Sequence, residues 1–382
     1  MGIFQWRGRV SKSEFRRQFV ETLRVEAPQL ECTLSEGDDL EITVAGMGND
    51  GRAVLSLHRA YEEFEKDPSQ RDAIFERFKS LLLQQRQDLP LETSNVVPMI
   101  KARDWLADQY ARDAEPPAPG SDAAFWVDDY NEELVVVYAE HREGFSYRPR
   151  GDFAAVGLNQ QNIRALALRN LRSRTPRREF SPVNGAWLLD AEGAFEASLL
   201  LDEEVWKNHR FRDSREILAA VPERDCLFVT TDTTPLGVWN LATLVDHGYR
   251  TAQYPISRQL MMRNAGHFTP VDSREIDDTH SIPNLTVIDV HGVRESGGSV
   301  MAVIIATPMD ATPRSIFRLF RKLNAHLDYK DTAEYREQCG DGTTDIEVSI
   351  HPDSDAAVFD LLATLADFVE RRGARLAVKQ LE

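Results

Sequence analysis

Cysteine is nearly absent from this chain: 382 residues hold three, Cys32, Cys226 and Cys339, far apart and with no C-x-x-C pair. An odd, scattered set speaks against a disulfide framework and a thiolate metal site and leaves reduced, mostly buried thiols. Long apolar runs are missing too, since nothing approaches the roughly 18 consecutive apolar residues of a membrane span. The opening MGIFQWRGRVSK lacks the apolar block and cleavage site of a secretory signal. The expectation is a soluble cytoplasmic protein without a membrane span. Basic residues are in deficit, 45 Lys plus Arg against 62 Asp plus Glu, which gives a net charge of −17. That balance argues against general affinity for nucleic acid or an anionic membrane surface, so any anion site must be local. His209, His247, His267, His280 and His291 show no H-x-x-x-H spacing, and there is no G-x-S-x-G, P-loop or zinc signature. The sequence therefore names no catalytic residue, no metal and no cofactor.

What is present suits several cores. The composition is 42% hydrophobic with 18 Phe and 6 Trp, and about 150 residues per domain is the usual prior. Residues 11–27 carry Phe15, Phe19, Val20 and Leu23 at helical spacing. Three short alternating runs, 31–34, 40–44 and 52–57, read as an antiparallel meander, and Asp67-Pro68 opens a helix with Ile74, Phe75, Phe78, Leu81 and Leu82 on one face. Residues 1–92 thus form a helix, meander, helix domain. A central α+β domain, 93–275, contains the nearly continuous apolar strand 134–139, a partner strand 145–148 and a helix 159–172. Strands 217–221 and 226–230, a helix 236–247 and strand-like residues 254–262 suggest that this order repeats. After the polar linker 272–280, residues 283–382 read as a third α+β domain with strands 286–290, 300–306, 346–350 and 376–378 and helices 313–327 and 354–371. The predicted class is α+β and multi-domain, with antiparallel or mixed sheets and amphipathic helices packed on them.

Each motif has a plain structural reading beside its functional one. Gly46-Met-Gly48-Asn-Asp-Gly51 matches G-x-G-x-x-G, but a dinucleotide fingerprint must open a helix and residues 52–57 alternate like a strand, so a hairpin turn is expected. Asp128, Asp129, Glu132 and Glu133 could offer carboxylates to a cation or to acid–base chemistry, although a solvated turn explains them as well. Gly340-Asp-Gly-Thr-Thr-Asp345 lacks the twelve-residue calcium pattern and is expected to be a turn. The first residues, Ile3, Phe4 and Trp6 beside Arg7 and Arg9, read as an anchor packed on the first domain. The most anomalous feature is Arg164, Arg169, Arg172, Arg174, Arg177 and Arg178 with no acid among them. Guanidinium groups bind phosphate or carboxylate bidentately, so these six are the candidate anion-binding residues. Their structural reading is helix-end cations paired with acids elsewhere.

Three segments together resemble a known family: residues 96–101 (VVPMIK), 133–139 (ELVVVYA) and, most specific, 216–229 with the turn Val221-Pro222-Glu223-Arg224-Asp225. On them, with the N-terminal block and residues 158–172, residues 1 to about 275 resemble the YtpQ-like proteins, a bacterial family of unknown function. The segment from 283 onward is similar to another small bacterial domain of unknown function. The resemblance implies Pro222, Arg224 and Asp225 as a structural turn and transfers no activity. Two functions are then weighed. One is a non-catalytic binding or protein-interaction module whose partner is another protein. The alternative is a hydrolase or ligand-binding protein acting on a phosphate-bearing anion, with the arginines as clamp and Asp225 or Asp232 as the acid.

Overall fold

In a computed structural model of the chain the described residues are 10–381, apart from 29, 35–38, 48–50, 86–89, 111–115, 143, 192 and 296. The expected N-terminal anchor and the centre of the Gly46–Gly51 turn lie outside them. The protein is of the α+β class, with antiparallel and mixed sheets carrying packed helices. Its contacts divide into two compact units, one made of Met1–Val96, Ala139–Arg148 and Asp152–Leu158, the other of Val97–Tyr138, Pro149–Gly151 and Asn159–Glu382.

In the first unit Ser11 caps the helix Lys12–Glu26 by accepting from Glu14 N, and the stripe Phe15, Phe19, Val20 and Leu23 is buried. Strands Glu31–Leu34, Glu41–Met47 and Gly51–Ser56 form the antiparallel meander. Because a strand follows Gly51, the G-x-G-x-x-G sequence opens no helix. Helix His58–Lys66, which the sequence reading passed over, precedes helix Arg71–Gln85. It buries Ala60, Tyr61 and Phe64, and the Phe15 ring lies 5.3, 5.0 and 5.1 Å from those of Tyr61, Phe64 and Phe75. Burying each such ring contributes about 1.5–3 kcal/mol.

The second unit contains two larger sheets with helices between them. The first has six antiparallel strands in the order His267–Pro270, Met261–Asn264, Leu218–Ala220, Leu227–Thr230, Ala186–Asp190 and Glu179–Val183. The second is mixed. Its edge strand Val290–Val293 runs antiparallel to Ser299–Ile305, after which Thr344–Ile350 and Ala374–Gln380 pair in parallel. Helix Pro235–Thr251 packs beside helix Pro313–Lys330, and one continuous core joins Val238, Trp239 and Val245 with Phe317, Phe320 and Leu323 and with Met301, Val303, Ile346 and Val348. The Trp239 ring sits 5.1 Å from Phe320 and 5.3 Å from Phe368. In a third, smaller sheet strand Leu134–His141 lies between Val96–Ala102 and Val127–Asp129, buried along nearly its whole length as its apolar run implies.

Two expected strands are displaced. The strand expected over 286–290 begins only at Val290, because Lys322 Nζ gathers the carbonyls of Asn284 and Val287, each at 2.8 Å, and the carboxylate of Asp289 at 2.6 Å. Asp289 in turn accepts from Ile304 N at 2.7 Å, taking the place of a strand partner. Of residues 254–262 only the end is strand. Ile256 N and Ser257 N instead donate to the carbonyls of Pro222 and Val221, and Met261–Asn264 turns through Ala265 (φ 49°) and Gly266 (φ 85°) into His267–Pro270.

Candidate functional site

The arginine-rich segment does not converge as its density suggests. Helix Ile163–Arg174 spreads the side chains round its circumference, and Asp202, fully buried, draws in two of them. Arg172 Nη2 lies 2.8 Å from Oδ1 of Asp202 and Arg178 Nη1 2.7 Å from Oδ2, while Glu204 N donates to Oδ1 at 3.2 Å. Burial alone would push this carboxyl up, but the two guanidiniums and the amide outweigh it and hold Asp202 below its ordinary range. Arg164 is half-buried and lends positive charge to the environment of the Tyr130 and Tyr138 phenols, whereas Arg169 and Arg177 are exposed and Arg174 is half-buried in the helix's last turn.

The turn at Pro222 is tied down by its own residues. Arg224 forks onto the adjacent Asp225 at 2.5 and 2.9 Å and stacks 4.1 Å over the Tyr254 ring. Its backbone N donates to Tyr254 O and its carbonyl accepts from Ala197 N. Gly248 lets helix Pro235–Thr251 lie against Pro222, since a Cβ there would sit 3.1 Å from the proline ring. Lys101 is the last residue but one of the strand Val96–Ala102, and burial, reinforced by the charge of Arg224, pushes its ammonium pKa down to about 8. Two of the segments that carry the family resemblance therefore meet electrostatically at Lys101 and Arg224. Asp232 has another task, accepting from Thr234 N and Oγ1 at 3.0 and 2.6 Å to start the following helix. The acidic turn disperses as well: Asp128 accepts from the Tyr138 hydroxyl, Asp129 pairs with Arg103 and Glu132 accepts from Ser273. Among the described residues no three His, Cys, Asp or Glu side chains gather as ligands for an ion.

The densest polar chemistry lies where the sequence suggested a linker. Residues 272–285 are bound to helix Pro313–Lys330 through Arg318, which has no exposed surface. Its guanidinium donates to Asp272 Oδ2 (2.5 Å), to Ile282 O (2.8 and 3.0 Å) and to the carbonyls of Arg274, Glu275 and Pro283. One turn earlier Arg314 binds Asp272 at 3.3 Å and also Asp277. Beside this anchor opens a polar cleft of about 400 Å³ lined by Asn131, Glu132, His267, Ser273, Arg274 and Arg314, among others. Asn131 accepts from Glu133 N and Leu134 N and donates to Phe268 O and Met261 Sδ. His267 lies 4.6 Å from the Tyr130 ring.

Adjacent to the cleft, His280, Ser315 and Asp310 form a hydrogen-bonded chain that resembles a catalytic triad in composition only. Ile282 N donates to His280 Nδ1 at 2.9 Å, so that nitrogen keeps its lone pair and the proton of the neutral ring sits on Nε2. Nε2 then donates to Ser315 Oγ at 3.0 Å, and Oγ donates to Asp310 Oδ1 at 2.6 Å. A serine nucleophile needs the reverse, a ring nitrogen that accepts its proton. Burial, followed by the charges of Arg318 and Arg314, holds the His280 pKa below its ordinary value, which favours this neutral form.

The chain is similar to UPF0354 proteins of Bacillus. It is 21% identical over 212 residues to one from Bacillus cytotoxicus, a match covering 55% of this chain and 74% of that protein. It is 22% identical over 182 residues to others from Bacillus thuringiensis and Bacillus cereus, which covers 47% of this chain and 64% of each. No family model and no solved structure matches. Kinship with a bacterial family whose name carries no activity is thus supported at low identity. No described helix is long and apolar enough to cross a membrane. The sequence reading missed the cleft and its anchor, although basic residues at 314, 318 and 322, four apart and interleaved with Ile316, Phe317, Leu319 and Phe320, were a signal for buried pairing.

Proposed function

We propose that this chain is a non-catalytic binding protein of the bacterial cytoplasm, YtpQ-like over residues 1–275, and that another protein docks in the polar cleft at Asn131, His267, Arg274 and Arg314. The observation that carries this reading is the preorganisation of the cleft's polar side chains. Arg314 and Asn131 are held by neighbours before any partner arrives, and the serine–histidine–carboxylate chain beside them runs in the wrong direction for proton abstraction. Fixed donors lower the ordering cost of binding. Arg274, with a side chain 70% exposed, and the exposed His267 favour a segment that presents carboxylates or amides. Affinity capture from the native cytoplasm with the wild type and with His267→Ala/Arg274→Ala tests this. A protein recovered by the first and lost by the second supports the cleft, and equal recovery refutes it. The phosphate-anion reading draws on the exposed Arg169 and Arg177. Saturable polyphosphate binding that weakens steeply with salt and is abolished by changing those two would replace the proposal.

A further inference from the structure

The segment 275–285 closes on itself: Ile276 bridges Asn284, Asp277 N donates to Pro283 O, and Leu285 N donates to Glu275 O. Asp277 organises its tip by accepting from Thr279 N and Oγ1, and Ile282 is inserted into the core of the second unit. His280 adds a tie between the tip and helix Pro313–Lys330 beside those of Arg318 to Ile282 O and Pro283 O and of Arg314 to Asp277, and both of its ring nitrogens are in use. Nδ1 accepts from Ile282 N within the tip, and Nε2 reaches Ser315 on the helix. The charged groups around the ring come from every neighbouring element: Arg314 and Arg318 from the helix, Asp310 from the turn before it and Asp272 from the loop's own start. Asp277, also on the loop, is engaged by Arg314.

From this geometry we infer that His280 is a pH-sensitive latch, which tightens the tip 277–283 on the helix when the imidazole is neutral and loosens it when a second proton binds. Protonation places N–H on Nδ1 facing the N–H of Ile282, so a hydrogen bond becomes a repulsive contact between two donors. It also sets a third positive charge beside Arg314 and Arg318, against the single charges of Asp272 and Asp310. The neutral form is favoured in the folded state, so the tie is complete above the ordinary histidine value of about 6.5 and is lost as pH falls through the lower folded value. Loosened at His280, the tip is left to the bonds of Arg318 and Arg314, and the N–H of Ile282 loses its acceptor. The inference does not depend on what the cleft binds.

Amide exchange of the intact chain, followed on peptides spanning 277–285 and corrected for intrinsic rates, tests the latch at about pH 7.5 and about pH 5. Protection at Ile282 is expected to fall at least about tenfold at the lower pH. In His280→Asn, whose Oδ1 can accept the same N–H without titrating, protection is expected to stay level. Equal protection of the wild type at both pH values, or an equal fall in His280→Asn, overturns the inference. Should that variant fail to fold, the ring nitrogens of the wild type decide by ¹⁵N NMR. A neutral ring protonated on Nε2 that gains its second proton over the range in which Ile282 loses protection sustains the latch, and an Nδ1–H tautomer refutes it.

Discussion

Replacing Arg318 by Met keeps most of the side chain's volume and removes its guanidinium. Asp272, with 1% of its side chain exposed, then keeps only Arg314 at 3.3 Å and Arg321 at 3.9 Å, and Ile282 O loses both of its donors from Arg318. Breaking a buried ion pair from one side typically costs about 3–5 kcal/mol. Carbonyls stranded without donors would add about 1–3 kcal/mol each if the loop could not move. The loop can move, however, and let water in, so the expected loss is about 3–5 kcal/mol rather than the sum. Urea unfolding followed by circular dichroism reads this as a lowered midpoint. Lys207→Ala, which breaks an exposed pair with Glu204, is the control and should cost about 0–0.5 kcal/mol. Asp272→Asn added to Arg318→Met should not add its full single-mutant cost, with a coupling of about 1–3 kcal/mol. A loss below about 1 kcal/mol for Arg318→Met, close to the control, would refute the buried anchor and restore the linker reading.

Around Asp202, Arg172→Ala should cost about 0–1 kcal/mol because Arg178 remains, whereas the double Arg172→Ala/Arg178→Ala strands a buried carboxylate and should cost about 3–5 kcal/mol. Simple additivity in the same urea assay would contradict the shared clamp. Since the folded Asp202 carboxyl is held below its ordinary value, its contribution is present above about pH 4 and is lost as pH falls through the folded value, so the double variant should have a flatter acid limb of stability. Arg224→Ala removes the fork to Asp225 and the stacking on Tyr254 and should lower stability by about 1–2 kcal/mol, and an unchanged melting temperature would show that the turn does not need it. A fragment 270–382 keeps Asp272, Arg274 and Ile282 as partners of Arg318, so it should unfold at a higher urea concentration than 283–382, and equal midpoints would deny those residues a stabilising role.

Elements with one strong period were legible in the sequence. The helix Lys12–Glu26 shows its stripe, strand Leu134–His141 its unbroken apolar run, and Ser299–Ile305 and Thr344–Ile350 the alternation of a sheet covered on one face. Strands Glu179–Val183 and Ala186–Asp190 were passed over for physical reasons. The first is the sheet's edge, mostly exposed and containing Pro182, which a central strand would not tolerate. Helix His58–Lys66 is short, and its charged positions hide the buried Ala60, Tyr61 and Phe64. The displaced start of strand Val290–Val293 could not be read locally at all, because Lys322, more than thirty residues onward, holds the preceding carbonyls away from the sheet.

The polar site failed to announce itself for a related reason: density along the chain and convergence in space are different properties. Six arginines between 164 and 178 stood out in an acidic sequence, yet successive helical residues are turned by about 100°, and it is Arg172 and Arg178 that reach a common carboxylate. Residues 272–280 looked like a linker because they are polar and aperiodic, which is also how a loop looks when its carboxylates face buried cations. The cations were visible too, at 314, 318 and 322 on one face of an amphipathic helix, but nothing local says which acids they meet. What separates the two clusters is burial. An exposed arginine contributes little whether paired or not, whereas Arg318 without Asp272 would be a buried charge at great cost, so the sparse cluster constrains the fold more than the dense one. The same burial sets the tautomer of His280, because its Nδ1 is the acceptor that Ile282 N, itself in the core, requires.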